Sequence, residues 1–278
     1  MQIDAAFLAA IRRSKPPAHN TRPVLAALAA HAVDMGLRKP RRLAHFLSQL
    51  AHESQGFIYD QEIWGPTAAQ RRYEGRLDLG NTQPGDGKRF KGRGPIQITG
   101  RGNYRRFTLW CSALNPLAPD FERDPDAVNS DPWEGLTAIW YWDTGNPTGR
   151  SLNRYADDND IEMVTRRING GLNGYEDRLE CYDRTALLML GFRADDVIGF
   201  QRHAGIRADG LSGPQTRGAL HAALLNAADV TFAGETTPEP DLDLDLDLDL
   251  DLIARLRTDL AQMAEQLAHI RATLEDAA

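Results

Sequence analysis

The sequence predicts a mainly α-helical protein with a small β element and a C-terminal helix, and three observations support this fold class. Apolar residues within 41–51 recur at spacings of three and four, which places them on one face of a helix. Similar spacings run through residues 253–274, whereas residues 96–99 form a short alternation that is typical of a strand. With 278 residues, 42% of them hydrophobic, the chain can bury a full core.

Composition divides the chain into four predicted ranges. Residues 1–193 form the main domain, and residues 194–226 form a helical segment that is too short to bury a core alone, so we expect it to pack on the main domain. Residues 227–252 are predicted to be a linker, which begins rich in Thr, Pro and Glu and ends in six Asp-Leu dipeptides. Dense like charge favours an extended acidic spacer over a packed strand there.

The last predicted range, residues 253–278, is an amphipathic helix with a heptad seam. No polar residue interrupts the seam, which predicts a coiled coil and therefore a homo-oligomer. Because the e and g positions offer little charge pairing, docking of this helix on the body of the chain or on a membrane surface stays open. The seam consists of Ile253, Leu256, Leu260, Met263, Leu267, Ile270 and Leu274.

The net charge of −7 is concentrated at the C-terminal end. Residues 241–278 hold ten acids and three bases, whereas residues 1–240 hold 29 of each. A body without net charge gives no support for binding to nucleic acid.

Signals for a membrane span, a leader or a metal site are also missing from the sequence. No apolar run approaches the roughly 18 to 20 residues of a membrane-spanning helix, and no basic leader precedes an apolar stretch at the N-terminus. We therefore expect synthesis in the cytoplasm without a signal peptide. Cys111 and Cys181 are interpreted as free structural thiols because neither lies at a metal-ligand spacing, and neither a metal nor a cofactor is predicted.

Glu53 is the first candidate catalytic residue. It continues the apolar stripe three residues beyond Leu50, on a helix face that we expect to be buried. Burial favours the protonated form of a carboxyl group, which a proton donor needs. The same position also fits an exposed glutamate just past the end of a core stripe.

Glu62 is a second candidate if the chain bends after Glu53. In a continuous helix the two glutamates would lie about 13.5 Å apart along the axis, which exceeds the roughly 6.5–9.5 Å at which two carboxylates act on opposite faces of one sugar. Gly56 is a suitable helix stop that would let the chain return Glu62 across a cleft.

Two segments bounded by glycines offer further polar side chains. Gln97 and Thr99 share one face of the predicted strand at residues 96–99, where they suit a wall that binds a polar polymer or positions a water, although an ordinary half-exposed strand has the same pattern. Asn169 lies in residues 166–174, whose glycines and asparagines predict a tight loop after a helix.

Together these segments resemble glycoside hydrolase family 19, the group of chitinases and related phage endolysins. The resemblance covers residues 1–193, and residues 62–76 look like the bacterial and phage branch of the family. The motifs that carry it are HESxGF at 52–57, a second glutamate nine residues after Glu53, GRGxIQIT at 92–99 followed by Asn103 and Tyr104, and INGG at 168–171 ahead of Arg178 and Tyr182.

The resemblance implies a lysozyme-like helical fold and inverting hydrolysis of a β-1,4 bond beside an N-acetylated sugar. Glu53 matches the general acid, Glu62 the general base, and Thr99 a hydroxyl that helps hold the attacking water. Because the plant branch has a longer interval between its glutamates, Glu74 competes with Glu62 as the base. The positions that match the sugar-binding cleft are Gln97, Asn103, Asn169 and Arg178.

Residues 200–220 contain a DGxxGPxT turn that leads into a helix, and this pattern resembles the peptidoglycan-binding helical repeat of bacterial wall enzymes. His203 within it is interpreted as a surface or packing residue, since no second ligand lies at zinc spacing nearby. The resemblance therefore favours an endolysin-type glycosidase that acts on the bacterial cell wall after release or export by another factor. A chitinase is the close alternative, and a non-catalytic wall-binding or virion structural protein is the third hypothesis.

Overall fold

The computed structural model describes residues 1–234, which belong to one compact unit, Met1–Glu235. Two predictions lie outside the described residues: the acidic Asp-Leu spacer at 241–252 and the heptad helix at 253–278. The described residues are mostly helical, so the predicted fold class is confirmed for them. No helix among them is long and apolar enough to cross a membrane.

The helix Pro40–Glu53, α3, runs through the centre of this unit. It begins with Pro40 in its first turn, where the missing amide hydrogen of proline costs no helical hydrogen bond. The predicted apolar stripe is buried, with Leu43, Phe46, Leu47 and Leu50 at most 1% exposed. The helix Tyr175–Met189, α10, packs along α3, and the two form the most extensive helix pair of the unit. The core therefore surrounds α3 instead of covering one face of it.

The chain reverses direction directly after α3, as the bend predicted near Gly56 requires. Gln55, Gly56 and Phe57 all adopt left-handed backbone angles, and the amide of Gly56 donates to the Ala51 carbonyl over 2.7 Å. The buried Asn20 side chain anchors the turn by donating to the carbonyls of Phe57 and Ile58. The helix thus ends at Glu53, which stands at the edge of the core.

The prediction of a strand at residues 96–99 is wrong. Arg93 and Ile98 form an isolated antiparallel bridge, and the residues between them make a tight turn that is closed by the Gln97 amide on the Gly94 carbonyl at 2.9 Å. Gly94 and Gln97 both have positive φ, which a regular strand does not allow. The alternation of buried and half-buried side chains comes from this turn and not from an extended strand.

The β element lies elsewhere, where the two ends of the described chain meet. Strand β1, Gln2–Ile3, pairs in parallel with strand β2, Thr231–Phe232. This pairing corrects the predicted start of the linker at residue 227, because Val230 and Phe232 are buried and alternate along the chain as strand residues do. Residues 230–232 are therefore part of the compact unit.

Residues 194–226 pack against the main helices, as their short length led us to expect. The helix Pro214–Leu225, α12, contacts both α10 and α3. Inside the segment, the buried Gln201 side chain donates to Thr216, to Asp209 and to the Leu211 carbonyl, and accepts from the Gly210 amide. The DGxxGPxT turn is thus organised around one glutamine. Apart from the start of the linker, the boundaries of the four predicted ranges stay predictions.

The described residues contain several further helices and turns. A short π-helix, Tyr141–Gly145, directly follows the helix Trp133–Trp140, α7, and 3₁₀ turns occupy Leu77–Leu79 and Pro125–Asn129. The other α-helices of the described residues are α1 Ala5–Arg12, α2 Ala18–His31, α4 Ala68–Arg71, α5 Asp86–Arg89, α6 Arg101–Leu114, α8 Asn153–Asp157, α9 Ile161–Asn169 and α11 Val197–His203.

Candidate active site

Glu53, the last residue of α3, forms an ion pair with Arg178 of α10. Arg178 Nη2 lies 2.5 Å from Glu53 Oε1, and the side chain of Arg178 is 1% exposed whereas that of Glu53 is 21% exposed. The expected apolar surroundings of Glu53 are therefore not found. The reason is tertiary: α10 packs along α3 and brings a buried cation to the end of the stripe.

A row of buried polar groups holds Arg178 in place. Its guanidinium donates to Gln49 Oε1 and to the Asn173 carbonyl, and Gln49 Nε2 in turn donates to Thr165 Oγ1 at 3.3 Å. A buried polar group is costly unless it is hydrogen-bonded, and each of these side chains has a partner. The row therefore fixes where the Glu53 carboxylate stands. Gln49 was not predicted, although its position four residues before Glu53 places the two side chains on the same face of α3.

Tyr141 is a second group near Glu53 that the sequence analysis missed. It begins the π-helix Tyr141–Gly145, and its hydroxyl donates to the Ile168 carbonyl at 3.2 Å. Burial raises the pKa of Tyr141 to about 12, with a further contribution from the negative charge of Glu53. π-Helical turns are frequent at functional sites, but no spacing in the sequence marks this residue.

His52 belongs to a separate charged cluster behind Glu53. Its Nδ1 lies 2.5 Å from Asp177 Oδ2, and Asp177 also accepts from Arg12 of α1. Burial alone would raise the pKa of Asp177, but the hydrogen bonds from His52 and Arg12 outweigh it and the pKa lies below its usual range. His52 is thus tied to α1 and α10 and stabilises the end of α3.

Glu62 lies against the backbone of Gly92, on the loop that carries Gln97 and Thr99. The Glu62 amide donates to the Gly92 carbonyl at 2.8 Å, and the Gly92 amide donates to Glu62 Oε2 at 3.2 Å. A Cβ atom at residue 92 would lie 2.7 Å from Gln97 Oε1, so a larger residue there would require the Gln97 side chain to shift. The Tyr73 hydroxyl faces the other carboxylate oxygen at 3.4 Å, and burial followed by the charge of Glu62 raises the pKa of Tyr73.

Gln97, Thr99 and Asn103 are linked by consecutive hydrogen bonds. The Thr99 hydroxyl donates to the Gln97 carbonyl at 2.9 Å, and Asn103 Nδ2 donates to the Thr99 carbonyl at 2.7 Å. Gln97 Nε2 donates to the Gly94 carbonyl at 2.9 Å. Gln97 and Thr99 therefore lie on the loop that contacts Glu62, and Asn103 of α6 is hydrogen-bonded to that loop.

Glu74, the alternative base, is engaged in holding a loop. Its two carboxylate oxygens accept from the amides of Gly85 and Gly87 at 2.6 and 2.9 Å. These bonds order the turn before α5, and they leave the carboxylate committed to backbone. The arrangement favours Glu62 over Glu74 as the base, and the choice stays a prediction.

Asn169 shapes the loop that ends α9. Its side-chain amide donates to the Asn173 carbonyl at 2.9 Å, and its oxygen accepts from the Gly171 amide at 2.8 Å. Because Arg178 donates to the same Asn173 carbonyl, Asn169 and Arg178 support one another through a shared acceptor. The loop predicted at residues 166–174 is shorter than expected, because residues 166–169 form the last turn of α9 and the loop occupies residues 170–174. It adjoins Glu53 through Arg178.

The predicted residues thus fall into two groups, one around Glu53 and one around Glu62. Arg106 of α6 lies between them: it donates to Asn103 Oδ1, stands over the Trp140 ring at 5.9 Å, and its charge acts on the neighbouring Tyr141. Both carboxylates are partly exposed, and a pair of carboxyl groups is what a two-carboxylate glycosidase uses to protonate a leaving group and activate a water. Among residues 1–234 there is no group of acidic, histidine and cysteine side chains that could hold a metal ion, and Cys111 and Cys181 are free and buried.

Comparison with known proteins agrees with this arrangement. The sequence profile of the family described as class I chitinases, glycoside hydrolase family 19, matches residues 21–155. A glycosyl hydrolase family 19 domain-containing protein of Haemophilus influenzae is 35% identical over 191 residues, which cover 59% of this chain and 88% of that protein. An endochitinase of Arabidopsis thaliana is 34% identical over 148 residues, and the match spans 53% of this chain and about half (46%) of the plant protein.

Solved structures show the same fold. Chitinase C from Streptomyces griseus matches with a TM-score of 0.52 and 24% identity, covering 68% of this chain and 92% of that one. The extent of the Haemophilus match, together with the helical architecture around Glu53 and Glu62, decides the assignment. The chain belongs to glycoside hydrolase family 19 and is a glycoside hydrolase.

Proposed function

We propose that this glycoside hydrolase cleaves β-1,4 bonds of bacterial peptidoglycan by an inverting mechanism, with Glu53 as the acid and Glu62 as the base. The observation that carries the proposal is the way in which the two carboxylates are held. A buried arginine positions Glu53, the backbone of Gly92 positions Glu62, and both side chains stay partly exposed.

In this mechanism the protonated form of Glu53 donates its proton to the glycosidic oxygen as the bond breaks. The product of this step is the carboxylate form of Glu53. Arg178 stands 2.5 Å from that carboxylate and stabilises the negative charge as it develops. Because Arg178 is already fixed by Gln49 and the Asn173 carbonyl, it needs no rearrangement during the reaction. Stabilisation of this kind lowers the barrier more than it strengthens substrate binding.

On the opposite side of the sugar, Glu62 removes a proton from the attacking water. The Thr99 hydroxyl donates to the Gln97 carbonyl, so its oxygen lone pairs are available to accept from that water. Gln97 and Asn103 hold the loop that presents Thr99 and offer amide groups to the N-acetyl and hydroxyl groups of the sugar.

The choice of peptidoglycan rests on the segment 194–226, whose DGxxGPxT turn resembles wall-binding repeats and is organised around Gln201. Chitin is the second candidate, and the names of the relatives favour it, since several are endochitinases. Both polymers offer a β-1,4 bond beside an N-acetylated sugar, so the chemistry at Glu53 is the same for both.

A product assay separates the two polymers. The purified protein should clear purified sacculi, and mass spectrometry should find new reducing ends in the glycan strand. Cleavage of chitin oligomers without cleavage of sacculi would assign the enzyme to chitin. Inactivity on both would favour the non-catalytic wall-binding hypothesis.

A further inference from the structure

A groove rich in cations opens beside the Glu62 loop. Five basic side chains line it: Lys88 and Arg89 from the end of α5, Lys91 and Arg93 from the loop that follows, and Arg123 from the segment before the 3₁₀ turn Pro125–Asn129. Asp124 and Asp126 are the acidic side chains in its lining. The groove therefore carries a surplus of positive charge, although residues 1–240 have no net charge.

Most of this positive charge is not neutralised by a neighbouring carboxylate. Among residues 1–234, Lys88, Lys91 and Arg123 make no ion pair, and the guanidinium of Arg89 donates to the backbone carbonyls of Glu122 and Arg123. Arg93 is the exception. It is buried, pairs with Asp126, and donates to the Tyr104 hydroxyl at 2.8 Å. Among residues 1–234, the groove thus combines two cations that bond within the fold, Arg89 and Arg93, with three that make no ion pair.

The groove lies next to the segment that carries Glu62. Lys91 precedes Gly92, whose amide donates to Glu62, and Arg93 forms a β-bridge with Gln61, the residue before Glu62. Burial and then the neighbouring charge of Arg93 lower the pKa of Lys91, so an anion bound at this position would relieve a repulsion that is already present. A glycan that reaches Glu62 therefore passes close to these cations.

We propose that this groove binds the free carboxylates of the peptide stems that peptidoglycan carries on its glycan strand. The inference rests on the proposed function and adds to it a reason for substrate preference. Chitin is uncharged and gains nothing from the groove, and partly deacetylated chitin is cationic and is repelled by it. The stems carry several carboxylates close to the glycan, and these match the three unpaired cations along the groove, Lys88, Lys91 and Arg123.

The test uses the full-length Lys88→Gln/Arg123→Gln double variant, which removes two exposed charges outside the catalytic residues. The Lys15→Gln/Arg150→Gln double variant is its matched control, since both residues are exposed, lie outside the segment 194–226 and make no ion pair among residues 1–234. We expect kcat/KM on sacculi to fall about three- to tenfold in the groove variant at low salt, with no change in the control and none on neutral chitin oligomers. The loss should shrink in 0.5 M NaCl because salt screens exposed charges.

A binding experiment keeps the inference independent of hydrolysis. Glu53→Gln protein, with and without the groove substitutions, is sedimented with untreated sacculi and with sacculi whose carboxylates have been amidated. Amidation should weaken binding of the protein with an intact groove, and should have no effect on the protein with the groove substitutions. If this pattern appears while the wild type cleaves no sacculi, the groove inference stands and the proposed function fails. Equal binding of the two proteins to untreated sacculi would overturn the inference.

Discussion

Glu53 and His45 lie eight residues apart on the same helix, and their surroundings are opposite. Glu53 is partly exposed and is held by Arg178, which is itself bonded to Gln49 and the Asn173 carbonyl. His45 is fully buried, and neither of its ring nitrogens has a hydrogen-bond partner among the described residues. It faces the rings of Tyr182 on α10 and His221 on α12, with Asp157 nearby.

The difference separates a polar group placed for chemistry from one that the core tolerates. A partnered, partly exposed carboxylate can exchange protons and meet a substrate. A fully buried imidazole stays neutral: burial together with His221 lowers the pKa of His45 to about 3, although the neighbouring Asn159 side chain acts in the opposite direction. The two positions on α3 should therefore respond differently to mutation, one in turnover and the other in stability.

Glu53→Gln tests the catalytic end most directly. Loss of the proton donor should lower kcat by about 10²–10⁴-fold, while the glutamine still accepts a hydrogen bond from Arg178 and the fold persists. Steady-state kinetics and circular dichroism measure the two effects. Glu176→Gln, at an exposed position on α10, is the control. Wild-type turnover in Glu53→Gln would remove Glu53 from the mechanism.

The pair Glu62→Gln and Glu74→Gln tests which of the two carboxylates is the base. We expect the first to lower kcat by about 10²-fold or more and the second to act through stability, because Glu74 holds the amides of Gly85 and Gly87. Kinetics and thermal unfolding of each variant distinguish these effects. The opposite result would make Glu74 the base.

Arg178→Met tests whether the polar row positions Glu53. Removal of the buried cation should lower kcat by about tenfold or more, because the charge that develops on Glu53 loses its partner. It should also lower the free energy of unfolding by about 2–3 kcal/mol, towards the low end for breaking a buried pair since Glu53 stays in contact with water. Arg178→Lys should recover part of the stability. Unchanged kcat in Arg178→Met would limit Arg178 to a structural role.

The smallest effect is a pH dependence of stability that originates at His45. Below pH 6.5, the pKa of His45 in the unfolded chain, the unfolded chain binds a proton at His45 that the folded chain does not bind. Acidification from pH 7 to pH 5 should therefore lower the contribution of His45 to the free energy of unfolding by about 2 kcal/mol. Asp183 works in the opposite direction, because burial raises its pKa to about 6 and the folded chain takes up the proton first. It should offset about 1 kcal/mol of this cost. Glu134 acts in the same direction as Asp183 by about 2–3 kcal/mol, because burial raises its pKa to about 8.

Urea unfolding at pH 7 and pH 5 checks this balance. Relative to the wild type, Asp183→Asn should make the change in stability on acidification about 1 kcal/mol less favourable, and His45→Gln should make it about 2 kcal/mol more favourable. If His45→Gln behaves like the wild type at both pH values, His45 is not the source of the acid sensitivity.

Much of the candidate site was predictable because its residues lie in local patterns. The stripe that ends at Glu53, the turn at Gly56 and the glycine-rich loop, which the structure places at residues 170–174, depend on neighbours within a few residues. The predicted strand at 96–99 failed because a tight turn with Gln97 at positive φ produces the same alternation of burial. Periodicity alone does not distinguish these two geometries.

By itself, the sequence determined the helical class, the family and the candidate carboxylates, since each follows from residue type and short spacing. Only the tertiary structure decided what surrounds them: Arg178 is 125 residues from Glu53 in the chain, and the packing of α10 on α3 brings the two together. It also decided where charge collects, because a balanced count of acids and bases says nothing about which face they occupy. Contacts between distant segments set both features, and no local pattern encodes them.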